Sequence, residues 1–183
     1  SNEDVTANYD ITPTTISTGV ITAKDINVTA QTDNRVYDGT TDSTEVPAVD
    51  TLETGDSVGT APTQVYDDAN VGTSKTLTAS GLIVDDGNSG SNYNVTYVDD
   101  TTGEISAAPL TVTAVENTKT VDGTTSAVAV PEITGGELIG DDTPSFIEEY
   151  DDADVGTDKT LTPSGVVNDG NNGDNYSYDF VPV

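Results

Sequence analysis

Apolar and polar residues alternate in short runs along this chain and nowhere settle into helical spacing. The segments "INVTA" (26–30), "KTLTASGLIV" (75–84), "NYNVTYV" (92–98) and "LTVTA" (110–114) set apolar side chains at every second position, with Val and Thr prominent. That is the pattern of half-buried strands. Turn signals at Asp38-Gly39, Thr54-Gly55-Asp56, Asp86-Gly87-Asn88 and Asp169-Gly170-Asn171 separate the runs, each offering a residue that tolerates a left-handed backbone. Several short antiparallel strands per ~80 residues predict an all-β, immunoglobulin-like sandwich.

The alternation is written twice. "YDDANVGTSKTLTASG" begins at Tyr66 and "YDDADVGTDKTLTPSG" at Tyr150, 84 positions later. The same offset pairs Asp38-Gly39-Thr40-Thr41 with Asp122-Gly123-Thr124-Thr125, and Pro47 with Pro131; the alignment runs without a gap until one residue is lost near position 168. A period this long suits a small domain with its own core better than a solenoid unit that needs neighbours. The expected organisation is residues 1–22 as closing strands of a preceding repeat, 23–106 as a first repeat, and 107–183 as a second repeat lacking its last strand, the whole forming a segment of a longer array. "GEISAAPLTVTAV" (103–115) joins the repeats with no Gly/Ser linker, so an end-to-end rod is expected, with little interface beyond that junction.

The ends of the chain look complementary. "NYDITPTTISTGVITA" (8–23) aligns with "NYNVTYVDDTTGEISA" (92–107), so a closing strand at one end faces a missing one at the other. Head-to-tail strand exchange between molecules is one expectation; the other is that residues 1–22 extend the first repeat's sheet or stay loosely ordered.

Composition narrows the function. Thirty-three acidic residues against five basic ones give a formal charge of −28, which excludes a nucleic-acid binder and an anionic membrane surface on electrostatic grounds. The chain has neither Cys nor His, so most nucleophile–base and transition-metal chemistry is closed to it, and it is expected not to be an enzyme. A Ser74–Lys75 dyad is excluded by its own repeat, where Asp158 replaces Ser74. Lys75 and Lys159 are expected to form structural ion pairs.

Ligand chemistry is left to carboxylates. Asp85, Asp86 and Asn88, matched by Asp169, Asn171 and Asp174, sit in Gly-rich turns where oxygens could converge on a hard cation, Ca²⁺ being the candidate. Asp67, Asp68 and Asn70, with Asp151, Asp152 and Asp154, form a second set. The competing explanation is a solvated acidic surface. No cofactor is expected to be required. The paired Thr hydroxyls of strands such as Thr76-Leu77-Thr78 are explained by strand propensity.

"RVYDGTT" (35–41), "GDSV" (55–58), "VYDDANVGTSKTLTASGL" (65–82) and "SNYNV" (91–95), in this order, resemble the YDG repeat of large bacterial surface adhesins. The resemblance implies an extender module of a secreted or cell-surface protein, projecting a distal binding region for adhesion and biofilm formation. Neighbouring repeats of the same chain would be its partners. The alternative is a module that itself binds glycan or protein, which an exposed aromatic patch in one repeat would favour. The second repeat departs from the name motif, with Val121 where the first has Tyr37; Tyr37 is therefore expected to pack rather than to act. Asp38 and Asp122 should accept backbone N–H groups in the following turn, with Gly39 and Gly123 at positive φ.

Overall fold

In the computed structural model, which describes residues 14–183, the alternating runs form strands, and no helix occurs among the described residues. The first repeat contains β1 (Lys24–Thr29), β2 (Asn34–Val36), β3 (Ala48–Val49), β4 (Ser57–Thr60), β5 (Thr63–Tyr66), β6 (Gly72–Ser80), β7 (Ile83–Asp85), β8 (Tyr93–Val98) and β9 (Asp100–Ser106). The second contains β10 (Ala108–Thr113), β11 (Glu132–Gly135), β12 (Thr143–Tyr150), β13 (Leu161–Asn168) and β14 (Tyr176–Val181). Residues 1–13, part of the segment assigned from sequence to a preceding repeat, lie outside the described residues; residues 14–23 carry no strand.

The first repeat forms sheets ordered β3-β1-β8, β2-β9-β6-β5 and β4-β7; the second forms β11-β10-β14 and β12-β13. Pairing is not antiparallel throughout, as the alternation alone suggested. β1 runs parallel to β8, β10 to β14, and β2 to β9. The cause is chain direction. Only Asp99 separates β8 from β9, and only Ala107 separates β9 from β10, too little for a hairpin reversal. β8, β9 and β10 therefore run on in one direction, which is that of β1, and the opening and closing strands of the repeat pair in parallel.

The inward positions of these strands make the core. Val28, Leu77, Ile105, Leu110, Val112 and Val167 are all 1% exposed or less, each contributing about 1.5–3 kcal/mol of burial. Their cluster is not divided at the repeat boundary. Tyr37, Tyr66 and Ile105 of the first repeat belong to the same buried group as Leu110, Phe146 and Tyr176 of the second. The expectation of little interface beyond residues 103–115 is overturned by this continuous core.

The gapless offset is also corrected locally. Tyr93 accepts the Glu53 N–H and donates to Asp56, whereas Tyr176 accepts the Ile139 N–H and donates to Asp142; these partners stand 86 positions apart. From Ser57 to Tyr66 the first repeat spends ten residues on β4 and β5, while the second covers the matching path, Thr143 to Tyr150, with the single eight-residue β12. The extra pair, Ala61-Pro62, breaks one long hairpin into two sheets, since Pro cannot donate to a ladder.

Candidate functional site

The turn of the name motif is built identically in both repeats. Asp38 accepts the Thr40 N–H (2.9 Å) and hydroxyl (2.8 Å), and Asp122 does the same with Thr124, at 2.9 Å for both. Gly39 and Gly123 take φ of 77° and 79°, a left-handed geometry that costs Gly little. A cation clamps each turn: Arg35 pairs with Asp38, and Lys119 with Asp122 at 2.9 Å. Lys119 and the Thr124 bonds hold the Asp122 carboxyl down at about 2.

The same two cations lie over tyrosine rings, Arg35 on Tyr66 (5.0 Å) and Lys119 on Tyr150 (5.7 Å). The Tyr66 hydroxyl donates to the Asp33 carbonyl at 2.6 Å, and the Tyr150 hydroxyl to the Asn117 carbonyl at 2.8 Å. Burial pushes the Tyr66 phenol up to about 12. These tyrosines fasten one strand to the chain 33 residues upstream; they are anchors.

Lys75 and Lys159 meet the acidic loops before them. Lys75, 7% exposed, reaches Asp68 at 2.6 Å and Asp67 at 3.3 Å, and Lys159 pairs with Asp152. Asp68 and Asp152 also accept the N–H of Asn70 (2.7 Å) and Asp154 (2.8 Å). Both carboxyls are held below the usual range, chiefly by their lysines. Ser74 and Asp158 share a left-handed φ of 58°, which places them at a kink and accounts for their interchange.

Two of the six candidate cation ligands, Asp86 and Asp169, hold the turns they sit in. Asp86 accepts the N–H groups of Asn88 (2.8 Å), Gly90 (2.8 Å) and Asn92 (2.9 Å); Asp169 accepts those of Asn171 (2.7 Å), Gly173 (2.8 Å) and Asn175 (3.0 Å). Asn88 and Asn171 donate to the side chains of Asn92 and Asn175. Asp85 is an exposed residue ending β7, and Asp174 is exposed in the turn before β14. Among the described residues, no group of three or more carboxylates could hold a metal ion. Asp86 and Asp169 thus shape their own turns through their carboxylates.

The junction between the repeats is the most elaborated polar site. Asn175 is wholly buried; its Oδ1 accepts the Val71 N–H at 2.9 Å and its Nδ2 donates to Asn70 Oδ1 at 3.2 Å, joining second repeat to first. Tyr37 stands edge-on to Tyr176, centroids 5.6 Å apart at 76°, and both hydroxyls point to Asp142, at 3.3 Å and 2.7 Å. Burial, then Asp142, raises the Tyr176 phenol, and the same two causes raise Tyr37. Edge-to-face aromatics and buried, satisfied hydrogen bonds fix an orientation as well as an affinity. Neither Tyr37 as a junction residue nor Asn175 as a junction residue was found from sequence. The signal was present in the one change within an otherwise repeated motif, where Tyr37 becomes Val121.

An aromatic group does distinguish the second repeat, where Tyr178 and Phe180 stack at 5.6 Å beside Phe146. It packs against the buried cluster rather than forming an open patch.

A family model described as the YDG domain matches the chain twice, over residues 22–103 and 106–181. Neither a comparison with curated proteins nor one with solved structures gave a match.

Proposed function

The chain belongs to the YDG domain family, and from that premise we propose that it is a structural extender: a pair of immunoglobulin-like sandwich repeats in a bacterial cell-surface adhesin, holding a distal binding region away from the cell. The observation that carries this reading is the junction. β9 passes into β10 through the single residue Ala107, and Tyr37, Asn70 and Val71 are locked to Tyr176, Asp142 and Asn175. A tether needs no such lock; a rod does, because bending at a junction is resisted only by contacts that bending would break.

The acidic surface supports the same role. With a charge of −28, neighbouring copies repel, which keeps crowded rods apart and discourages sheet edges from pairing indiscriminately. The reading requires no cofactor and no catalysis.

Small-angle scattering of the chain with and without millimolar Ca²⁺ tests it. A cross-section one repeat wide and a length of two repeats, both insensitive to Ca²⁺ beyond ionic strength, is the expected result. A distribution of inter-repeat angles broad enough to need an ensemble, or collapse to a compact particle, would remove the extender reading.

A further inference from the structure

One buried place exchanges its chemistry between the repeats. In the first, the Ser43 hydroxyl joins two buried side chains, Asp33 and Gln64. The Gln64 amide donates to Ser43 at 3.0 Å, and Ser43 donates to an Asp33 carboxylate oxygen at 2.8 Å. The same amide donates to the Gln31 carbonyl at 2.7 Å, while its oxygen accepts the Gln31 N–H at 2.7 Å. The relay runs from amide through hydroxyl to carboxylate, and each donor in it has an acceptor.

At the offset of 84, Gln31, Asp33, Ser43 and Gln64 become Val115, Asn117, Ala127 and Glu148. Amide and carboxylate have traded places, and the hydroxyl between them is gone. The backbone that carries them is the same. The Tyr150 N–H donates to the Thr125 carbonyl at 2.8 Å, as the Tyr66 N–H does to Thr41 at 2.9 Å, and the Tyr150 hydroxyl holds the Asn117 carbonyl as the Tyr66 hydroxyl holds that of Asp33. The Ala127 N–H donates to the Glu148 carbonyl at 3.1 Å. Asn117 and Glu148 therefore flank Ala127 as Asp33 and Gln64 flank Ser43. Glu148 is 1% exposed, and one of its oxygens accepts the Val115 N–H at 2.8 Å. Its other oxygen, Oε1, has no hydrogen-bond partner, and neither does the buried Asn117 Nδ2.

We propose that the second repeat binds one water molecule at this place, which accepts from Asn117 Nδ2 and donates to Glu148 Oε1 and to the Val115 carbonyl. Donor and acceptor counts favour water over the hydroxyl it replaces. With Glu148 in the place of Gln64, the Val115 carbonyl loses the amide donor that the Gln31 carbonyl has, and a carboxylate oxygen has no hydrogen to give it. Two acceptors and one donor are left to be served. A serine hydroxyl has a single hydrogen and reaches only one of the acceptors; water has two, and lone pairs for the amide. About three hydrogen bonds to otherwise unpaired buried groups is the usual setting of an internal water. Ala127 makes the room. A buried carboxylate with a single N–H donor is costly, and the water supplies its second donor. All four residues lie within one repeat, in the segment after β10, in the loop before β11 and on β12, so the site is separate from the junction and from the extender reading.

The test uses the whole chain. A water–protein nuclear Overhauser spectrum should place a long-lived water against the Ala127 methyl and the Val115 N–H, and a high-resolution crystal structure should show one peak between Asn117, Glu148 and Val115. Ala127→Ser brings in the residue of the first repeat, which the same backbone accommodates. It should nevertheless lower the urea midpoint, because the hydroxyl displaces the water and leaves one acceptor without a donor. In the background of Glu148→Gln, which restores the amide, the same Ala127→Ser change should raise the midpoint. A wild-type spectrum and crystal structure without the water overturn the proposal, and so does a water contact that survives in the double variant. An Ala127→Ser effect of the same sign in both backgrounds would show that the count of hydrogens does not govern the site. Anomalous scattering at the peak in crystals grown with RbCl would assign it to a monovalent cation beside Glu148 and overturn the water as well.

Discussion

Both repeats enclose the same kind of core, but among the described residues only the first has a strand in the β9 position. In the first repeat Leu77 is covered by β9, whose Ile105 and Gly103 fit against Tyr66 and Lys75; in the second, Leu161 and Tyr150 border a cleft. The strand that completes a repeat is the strand that leads out of it, and one residue later it becomes the first strand of the next. Closure and connection are therefore one event: a repeat cannot be finished without fixing the direction of its neighbour. That coupling explains why the buried cluster runs through the boundary.

The sharpest way to break this comparison is to remove the closing side chain. Ile105→Ala should cost about 3 kcal/mol, because it deletes three buried carbons and leaves a cavity under β6, whereas Ile21→Ala should leave the monomer's stability within about 0.5 kcal/mol, as for surface changes generally. Urea unfolding of both variants at low concentration decides it. Equal effects would mean that β9 does not close the first repeat in the way its burial indicates.

The junction comes next. Tyr37→Val gives the first repeat the residue of the second, removing the edge contact with Tyr176 and a hydrogen bond to Asp142. The expected loss is about 2 kcal/mol, and calorimetry should show one cooperative transition separating into two. If the transition stays single and its midpoint unchanged, the repeats are coupled by backbone continuity alone.

Local chemistry was legible in the sequence because it depends on neighbours a few positions away. The Asp38-Gly39 and Asp122-Gly123 turns, and the Lys75 and Lys159 ion pairs with acidic loops seven or eight residues upstream, could be derived from residue type and spacing. The all-β class followed from alternation. What escaped was set by distance along the chain. Parallel pairing of β1 with β8 depends on where the chain exits, Asn175 finds Val71 across 104 positions, and the two-residue shift at Ala61-Pro62 is hidden because a compensating shift earlier in the repeat restores the offset. The role of Asp86 and Asp169 in shaping their turns was also missed: clustered carboxylates suggest a cation, and the three N–H groups that a turn rich in Gly and Asn aims at each carboxylate depend on backbone geometry that residue type does not show.

A smaller difference lies beneath β5 and β12. Gln64 accepts the Gln31 N–H at 2.7 Å and donates to the Gln31 carbonyl at 2.7 Å and to Ser43 at 3.0 Å. Its counterpart Glu148, 1% exposed, accepts the Val115 N–H at 2.8 Å, but its Oε1 has no hydrogen-bond partner. An amide supplies the donor that the carboxylate lacks, so Glu148→Gln should stabilise the second repeat by about 1 kcal/mol and Gln64→Glu destabilise the first by at least as much. Opposite shifts in the urea midpoint are the expected readout; shifts of the same sign would show that the two buried positions are not equivalent.

The least effect is expected where the repeats are most alike, in the turns of Asp86 and Asp169. Burial pushes both carboxyls up, but the three backbone N–H groups aimed at each outweigh it, and both are held below the usual range. A depressed folded value contributes stability that is present above the unfolded value of about 4 and is lost as pH falls through the folded one. Absolute stability is a poor measure here, since protonating 33 acidic residues also relieves self-repulsion over the same range. The difference between wild type and a neutral variant isolates the turn. Wild type should exceed Asp169→Asn by a margin that is full at pH 7, narrows below pH 4 and closes toward pH 2, and Asp86→Asn should trace the same curve. Melting temperatures at pH 7, 4 and 2.5 suffice. A margin that is constant with pH would mean that the turn is held by shape and not by the charge of its carboxylate. Curves that differ between the two variants would mean that Asn175, buried at the junction while Asn92 is exposed, lends its turn a strength that the first repeat's turn does not have.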